Sequence, residues 1–245
     1  MKKSPKCDTL VENDTETGGF DMNYKGIFFD FDYTLGDSTL PITIGYQKGF
    51  AAMGWPEPTV EQVRPTIGMT LMDGYTMLTG DGDPERRREF YHQFQVAVGE
   101  LAEEAGHTVM VEETRLFPGA AELLTALKEQ GVKVAIVSTK LGLTIQRIFA
   151  HQGLEHLLDL VVGGKDVARA KPDPEGLNFA LDKLGLDRSE VLFCGDTVID
   201  ARTAQNGGCD FCAVLNGTTP AEAFDGYPQV HIAPNLAELR RWLGL

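Results

Sequence analysis

The 245-residue sequence is short of the features that would place it outside ordinary globular proteins. It contains four cysteines, too few for a disulfide scaffold, so a cytoplasmic, reduced protein is expected. No apolar run approaches the roughly 20 residues that a bilayer-spanning helix needs. The basic start Met1-Lys2-Lys3 leads into Asp8, Glu12, Asp14 and Glu16 rather than into the apolar stretch of a secretory signal. Positive charge is scarce as well. Lys and Arg number 22 against 36 Asp and Glu, a formal net charge of −14, which speaks against nucleic acid or an anionic membrane as partner. No Gly-Lys-Ser/Thr phosphate loop occurs, so nucleotide binding of that kind has no support.

What is present suits a buried core: 42% apolar and 24% charged residues. Residues 1–23 are polar and aperiodic, and a mobile leader is expected there. The run Gly26-Ile27-Phe28-Phe29 reads as a strand covered on both faces. From 41 to 114 the texture turns helical. Ile42–Met53, Val60–Arg64, Thr70–Leu78 and Pro84–Ala105 carry helical spacing broken by Gly and Pro, with no convincing strand. After Phe117-Pro118-Gly119, helices and strands alternate: helix Ala120–Gln130, strand Val132–Val137, helix Leu143–Gln152, strand Leu160–Val162, helix Pro174–Leu184, strand Val191–Cys194, then a final βα unit of Phe211–Leu215 and Leu236–Leu243. This alternation predicts an α/β fold, a doubly wound parallel sheet of Rossmann-like kind built from residues 24–40 and 115–245. An all-helical block, 41–114, is inserted as a lid.

Ligands of open α/β sheets bind beyond the carboxyl ends of the strands. Those ends supply Asp30 and Asp32, Ser138, Lys171 in a following loop, then Asp196 and Asp200. Taken singly, each Asp reads equally well as a helix cap or turn residue. Together they form a set that repels itself by several kcal/mol per pair, at an effective dielectric of about 20, unless a hard divalent cation and the lysine offset it. Mg²⁺ suits a few carboxylates plus substrate oxygens, and a carboxylate can also act as a nucleophile.

These residues resemble the four motifs of the haloacid dehalogenase superfamily. Asp30-Phe31-Asp32-Tyr33-Thr34-Leu35 is similar to its Asp-x-Asp-x-Thr-Leu, Ser138 to its strand-end Ser/Thr, Lys171-Pro172 to its lysine motif, and Gly195-Asp196-Thr197-Val198-Ile199-Asp200 to its Gly-Asp-x-x-x-Asp. The inserted helical block resembles the cap of phosphoglycolate phosphatase and β-phosphoglucomutase relatives, and Arg64-Pro65-Thr66-Ile67-Gly68 resembles the segment such caps turn toward the site. The resemblance implies a phosphatase acting on a small phosphorylated metabolite, with an intramolecular phosphotransferase as the alternative. Asp30 would be the nucleophile and Asp32 the general acid and base. Mg²⁺ would be held by Asp30, Asp196 and the backbone carbonyl of Asp32, with Asp200 beside it. Lys171 would neutralise charge, and Ser138, Thr139 and Lys171 would hold the phosphoryl group. Arg64, Gly68 and Tyr33 are the expected substrate-side residues. Tyr33 stands where many relatives carry Gly, and Thr139 where many carry Asn. A monomer or homodimer is expected.

Other signals have plainer readings. Cys209-x-x-Cys212 lacks a second pair, and Cys212 reads as a small buried hydrophobe. Arg86-Arg87-Arg88 reads as a solvated helix face, and Trp55 and Met69 as cap packing. Lys140 suits either a surface lysine or a contact to a substrate anion. Pro172 is expected to keep Lys171 in an extended segment.

Overall fold

In the computed structural model, described for residues 24–101 and 108–245, the chain opens with β1 (Gly26–Phe29), whose residues are all buried. A short strand, β2 (Gly36–Asp37), pairs antiparallel with β3 (Arg115–Leu116), and among the described residues five α-helices and a 3-10 turn (Arg64–Thr66) lie between them. The helices are α1 (Thr39–Ala52), α2 (Val60–Val63), α3 (Leu71–Thr79), α4 (Pro84–Val98) and α5 (Val109–Glu112). After β3 the alternation is α6 (Ala120–Glu129), β4 (Lys133–Val137), α7 (Gly142–His151), β5 (Leu160–Val162), α8 (Glu175–Leu184), β6 (Val191–Gly195), α9 (Val198–Gly207), β7 (Asp210–Val214), β8 (Gln229–Ala233) and α10 (Leu236–Trp242).

The main sheet is wholly parallel with the order β5-β4-β1-β6-β7-β8. Successive side chains of a strand face opposite ways, which explains its two cores. Ile27, Phe29, Val134, Ile136 and Leu192 pack against α6, α7 and α10, whereas Phe28, Ala135, Val137 and Phe193 pack against α8 and α9. The chain winds outward from β1 in one direction through β4 and β5, then in the other through β6, β7 and β8. The strand order therefore switches beside β1, where the crevice at the carboxyl ends opens.

A third core lies within the helical segment and is aromatic: Tyr46, Phe50, Tyr75, Phe90 and Phe94. Their ring centroids stand 5.0–6.1 Å apart, within the range of favourable ring pairs. Gly45 and Gly49 share one face of α1. A Cβ at Gly45 would lie 2.4 Å from the Phe94 ring and one at Gly49 3.0 Å from the Phe90 ring, so the glycines admit α4 close to α1.

The structure differs from the sequence-based expectations in several details. The leader 1–23 and the end of the expected helix, 102–105, lie outside the described residues. Helix α4 itself stops at Val98, because Gly99 takes a left-handed φ of 80° and closes the end with bonds from Gly99 N to Val96 O and from Glu100 N to Gln95 O. The elements that the sequence does not announce include α9 and β8, besides the short β2, β3 and α5. Helix α9 buries Asp200, Ala201, Thr203, Ala204 and Gly207, a face with no large apolar stripe. Strand β8 is a half-exposed edge strand of mixed residues and separates β7 from α10, which the sequence reading had joined. Lys171 sits in a turn closed by Asp173 N to Ala170 O at 3.0 Å, not in an extended segment, and its peptide to Pro172 is cis. Among the described residues no helix is long and apolar enough to cross a membrane.

Candidate functional site

Three neighbouring strands deliver the polar residues to one place. Asp30 follows β1 directly, and its N–H donates to Cys194 O of β6 at 2.9 Å. Ser138 follows β4, its N–H bonded to Val162 O of β5. Asp196 follows β6, and Asp200 lies in the first turn of α9, where Thr197 and Asp200 cap each other. The carboxylate of Asp200 thus stabilises the start of its own helix as well as facing the site.

Asp30, Asp196 and Asp200 each bring a carboxylate oxygen within 4.8 Å of the others, and all three are buried. Lys171 Nζ lies between two of them, 2.9 Å from Asp30 Oδ1 and 2.6 Å from Asp200 Oδ1. Although Asp30 Oδ1 is that close to the ammonium, neither Asp30 oxygen accepts a well-aligned hydrogen bond. Thr34 Oγ1 donates to Asp196 Oδ1 at 3.2 Å, and Asn216 Nδ2 donates to Thr34 O at 3.0 Å. A Cβ at Gly217 would lie 2.1 Å from Asp196 Oδ2, so only glycine leaves that carboxylate its place.

The electrostatics are those of an incomplete charge balance. Three carboxylates and one ammonium leave two negative charges in a buried space. Burial pushes the Asp30 carboxyl up to about 6, with Lys171 drawing it back down and Asp200 pushing it further up. Burial, then the charges of Asp200 and Asp30, raise Asp196 well above the usual carboxylate range. Burial disfavours the Lys171 ammonium, but the charges of Asp200 and Asp30 outweigh it and hold its pKa above the ordinary lysine value. At 4.8 Å and an effective dielectric of about 20, each pair of like charges costs on the order of 3 kcal/mol. Oxygen donors, an excess of two negative charges and carboxylate oxygens lacking aligned partners fit a hard divalent cation.

The raised Asp30 carboxyl ties the stability of the fold to pH. Between its ordinary value of 3.8 and about 6, the folded chain holds protons that the unfolded chain has released. In metal-free buffer, stability therefore falls as pH rises through that window, by on the order of 2–3 kcal/mol. A cation replaces those protons, so millimolar Mg²⁺ should raise the melting temperature by several degrees at pH 7.5 and by much less at pH 4.5. Thermal melts with and without Mg²⁺ at both pH values check this; equal shifts at the two would contradict it.

Asp32 stands apart from the acidic cluster. Its two carboxylate oxygens lie 3.2 and 3.4 Å from Lys140 Nζ, which also reaches Ser38 Oγ at 3.4 Å. Both side chains are buried, 5% exposed for Lys140 and 7% for Asp32. Lys140 is accordingly no surface lysine. No spacing in the sequence marks it, because its partner lies 108 positions away.

Tyr33 has a φ of 60°, the left-handed region that favours glycine, which accounts physically for the contrast with glycine-bearing relatives. Its ring is buried and its hydroxyl lies 2.8 Å from Thr39 Oγ1. Thr139 Oγ1 points to the helical segment, with Gly68 O at 3.3 Å and Met69 O at 3.4 Å. Gly68, at a φ of 95°, comes so close to α9 that a Cβ there would lie 3.3 Å from Thr197 Cγ2. Arg64 is exposed, near enough to the Tyr33 hydroxyl for its charge to act on it. Arg87 is more than a solvated face residue: it bonds Asp73 at 2.6 Å and Met72 O at 3.2 Å beside a cavity that Met69 also lines.

A buried acidic cluster with a lysine, at the switch point of a parallel sheet and facing an inserted helical segment, is the arrangement of an α/β hydrolytic enzyme. The family model described as "Haloacid dehalogenase-like hydrolase" matches residues 27–214, and the chain belongs to that family. The chain is similar to the phosphoglycolate phosphatase of Aliivibrio fischeri, 30% identical over 84% of this chain and 91% of that one. It is likewise similar to the phosphoglycolate phosphatase of Rhodobacter capsulatus, 30% identical over 88% and 98%. Among solved structures, a haloacid dehalogenase-like hydrolase from Bacteroides fragilis superposes with a TM-score of 0.82 at 35% identity, covering 88% of this chain and 99% of that one.

Proposed function

We propose that the chain is a Mg²⁺-dependent phosphatase that hydrolyses a small phosphomonoester through an aspartyl-phosphate on Asp30, with residues 41–114 acting as its cap. The observation that carries this reading is the division of the carboxylates into two sets: Asp30 in a cluster with two negative charges in excess, and Asp32 held apart by its own lysine.

In this reading an Asp30 oxygen attacks phosphorus in line and the ester oxygen departs on the opposite side. Lys171 keeps Asp30 ionised and offsets charge on the phosphoryl oxygens, and the Ser138 hydroxyl donates to one of them. Asp32 gives the departing alkoxide the proton it took from water in the preceding turnover, then takes a proton from the water that attacks the aspartyl-phosphate, releasing phosphate and restoring Asp30. Asp30, Asp196 and Asp200, with the Asp32 carbonyl, would hold the Mg²⁺, which supplies positive charge beside the phosphoryl oxygens. The contact of Gly68 with Thr139 and Thr197 would let the cap exclude bulk water during the first step.

The test is phosphate release from a panel of phosphomonoesters with and without Mg²⁺, together with intact mass of acid-quenched enzyme. Release without any bisphosphate activator, and a single added phosphoryl group lost in the Asp30→Asn protein, are expected. Turnover that requires a bisphosphate and returns an isomer instead of free phosphate would replace hydrolysis with intramolecular transfer.

A further inference from the structure

A cavity of about 470 Å³ lies between the helical segment and the sheet, large enough for a ligand of many non-hydrogen atoms. Asp32 is part of its wall and Asp30 is not, so it opens on the side where the ester oxygen would leave. The lining is mainly apolar and includes Ile67, Met69, Met72, Phe94, Met110 and Leu141.

The charged residues of the wall matter as much. Three basic side chains reach it, and the two that stand inside are already paired with carboxylates. Lys140 pairs with Asp32, Arg87 with Asp73 at 2.6 Å, and Lys165 stands 5.6 Å over the Tyr91 ring at the exposed rim. Asp73 and Glu100 add negative charge, and Arg64 is not among the described lining residues. A substrate bearing a second anionic group on its alcohol, a carboxylate or another phosphate, would have to shed water there, and among the described lining residues only Lys165, at the exposed rim, stands outside an ion pair to receive it. An uncharged hydrocarbon meets a wall of its own kind.

Resting on the phosphatase reading, we propose that the alcohol portion of the substrate is uncharged and predominantly apolar, several carbons long, and occupies this cavity with its ester oxygen at Asp32. That would set the chain apart from relatives named for phosphoglycolate, whose two-carbon alcohol carries a carboxylate.

The experiment compares kcat/KM for phosphoglycolate and for n-alkyl monophosphates from ethyl to octyl at saturating Mg²⁺. The alkyl alcohols have nearly constant acidity, so chain length reads binding alone. We expect kcat/KM to climb about threefold per methylene over the first several carbons and butyl phosphate to exceed phosphoglycolate at least tenfold. Calorimetric titration with n-alkylphosphonates, which have no ester bond to cleave, should show affinity rising along the same series with an increasingly negative heat-capacity change. Met72→Asn and Leu141→Asn, both at partly exposed positions, should each lower the octyl-to-ethyl ratio several-fold. A flat series, or phosphoglycolate ahead of every alkyl ester, overturns the proposal while leaving the phosphatase reading standing. Phosphonates that bind more tightly with length, with no phosphate released from any ester, would support the apolar cavity and sink the phosphatase reading.

Discussion

Asp30→Asn should abolish turnover, lowering kcat by about 10⁴-fold or more, while the protein stays folded. The amide keeps the volume of the carboxylate but cannot attack phosphorus and keep the bond it forms. Folding should survive because Asp30 is a member of a like-charged set. Removing its charge relieves repulsion with Asp196 and Asp200, and Lys171 retains Asp200 at 2.6 Å. In metal-free buffer at neutral pH the variant should melt no lower than the parent chain, and its gain from Mg²⁺ should shrink. Phosphate release and thermal melts read both halves. Unchanged release by the purified variant would remove Asp30 as nucleophile.

Asp32→Asn should discriminate between substrates. A poor leaving group such as an alkoxide needs the proton that Asp32 would deliver, so alkyl phosphates should lose about 10²–10⁴-fold in kcat. Aryl phosphates, whose phenolate departs unaided, should lose less than about tenfold. Lys140 gives the same comparison a second handle. Its ammonium spans both Asp32 oxygens and Ser38 Oγ, which fixes the carboxylate at the mouth of the cavity. Lys140→Met should therefore reproduce the preference for aryl substrates, and Lys140→Arg should recover part of the alkyl rate. Loss of the Lys140 partner also leaves a buried carboxylate unpaired, at a cost of about 3 kcal/mol in stability. Equal losses on aryl and alkyl phosphates in Asp32→Asn would refute the acid–base role.

The features of the fold and site that can be read from the chain share one property: they are local. Strand β1 announces itself as Ile27-Phe28-Phe29 between polar flanks, and the rule that parallel sheets bind ligands at their carboxyl ends then selects Asp30, Ser138 and Asp196 without coordinates. Asp200 was selected by its spacing from Asp196, although the helix that carries it escaped notice. Helix α9 packs against α8 through small residues, and a Cβ at Gly207 would lie 2.6 Å from Leu177. Close packing of that kind leaves no hydrophobic periodicity to detect. Gly217 and Asn216 were missed for the opposite reason. Asn-Gly after a strand is an everyday turn signal, and its second task beside Asp196 and Thr34 exists only through space.

By itself, the sequence determined the α/β alternation, the helical insertion and the inventory of acids, lysine and hydroxyl at the strand ends, because hydrophobic period and strand termination are encoded within a few neighbouring residues. Only the tertiary structure decided how those groups divide. It drew Lys171 to Asp30 and Asp200, sent Lys140 to Asp32, forced Tyr33 into a left-handed backbone, and enclosed an apolar cavity against the Asp32 side of the site. Each of those outcomes depends on side chains 29 to 141 or more positions apart, or on a turn held by the packing around it, and no local pattern specifies which ammonium meets which carboxylate.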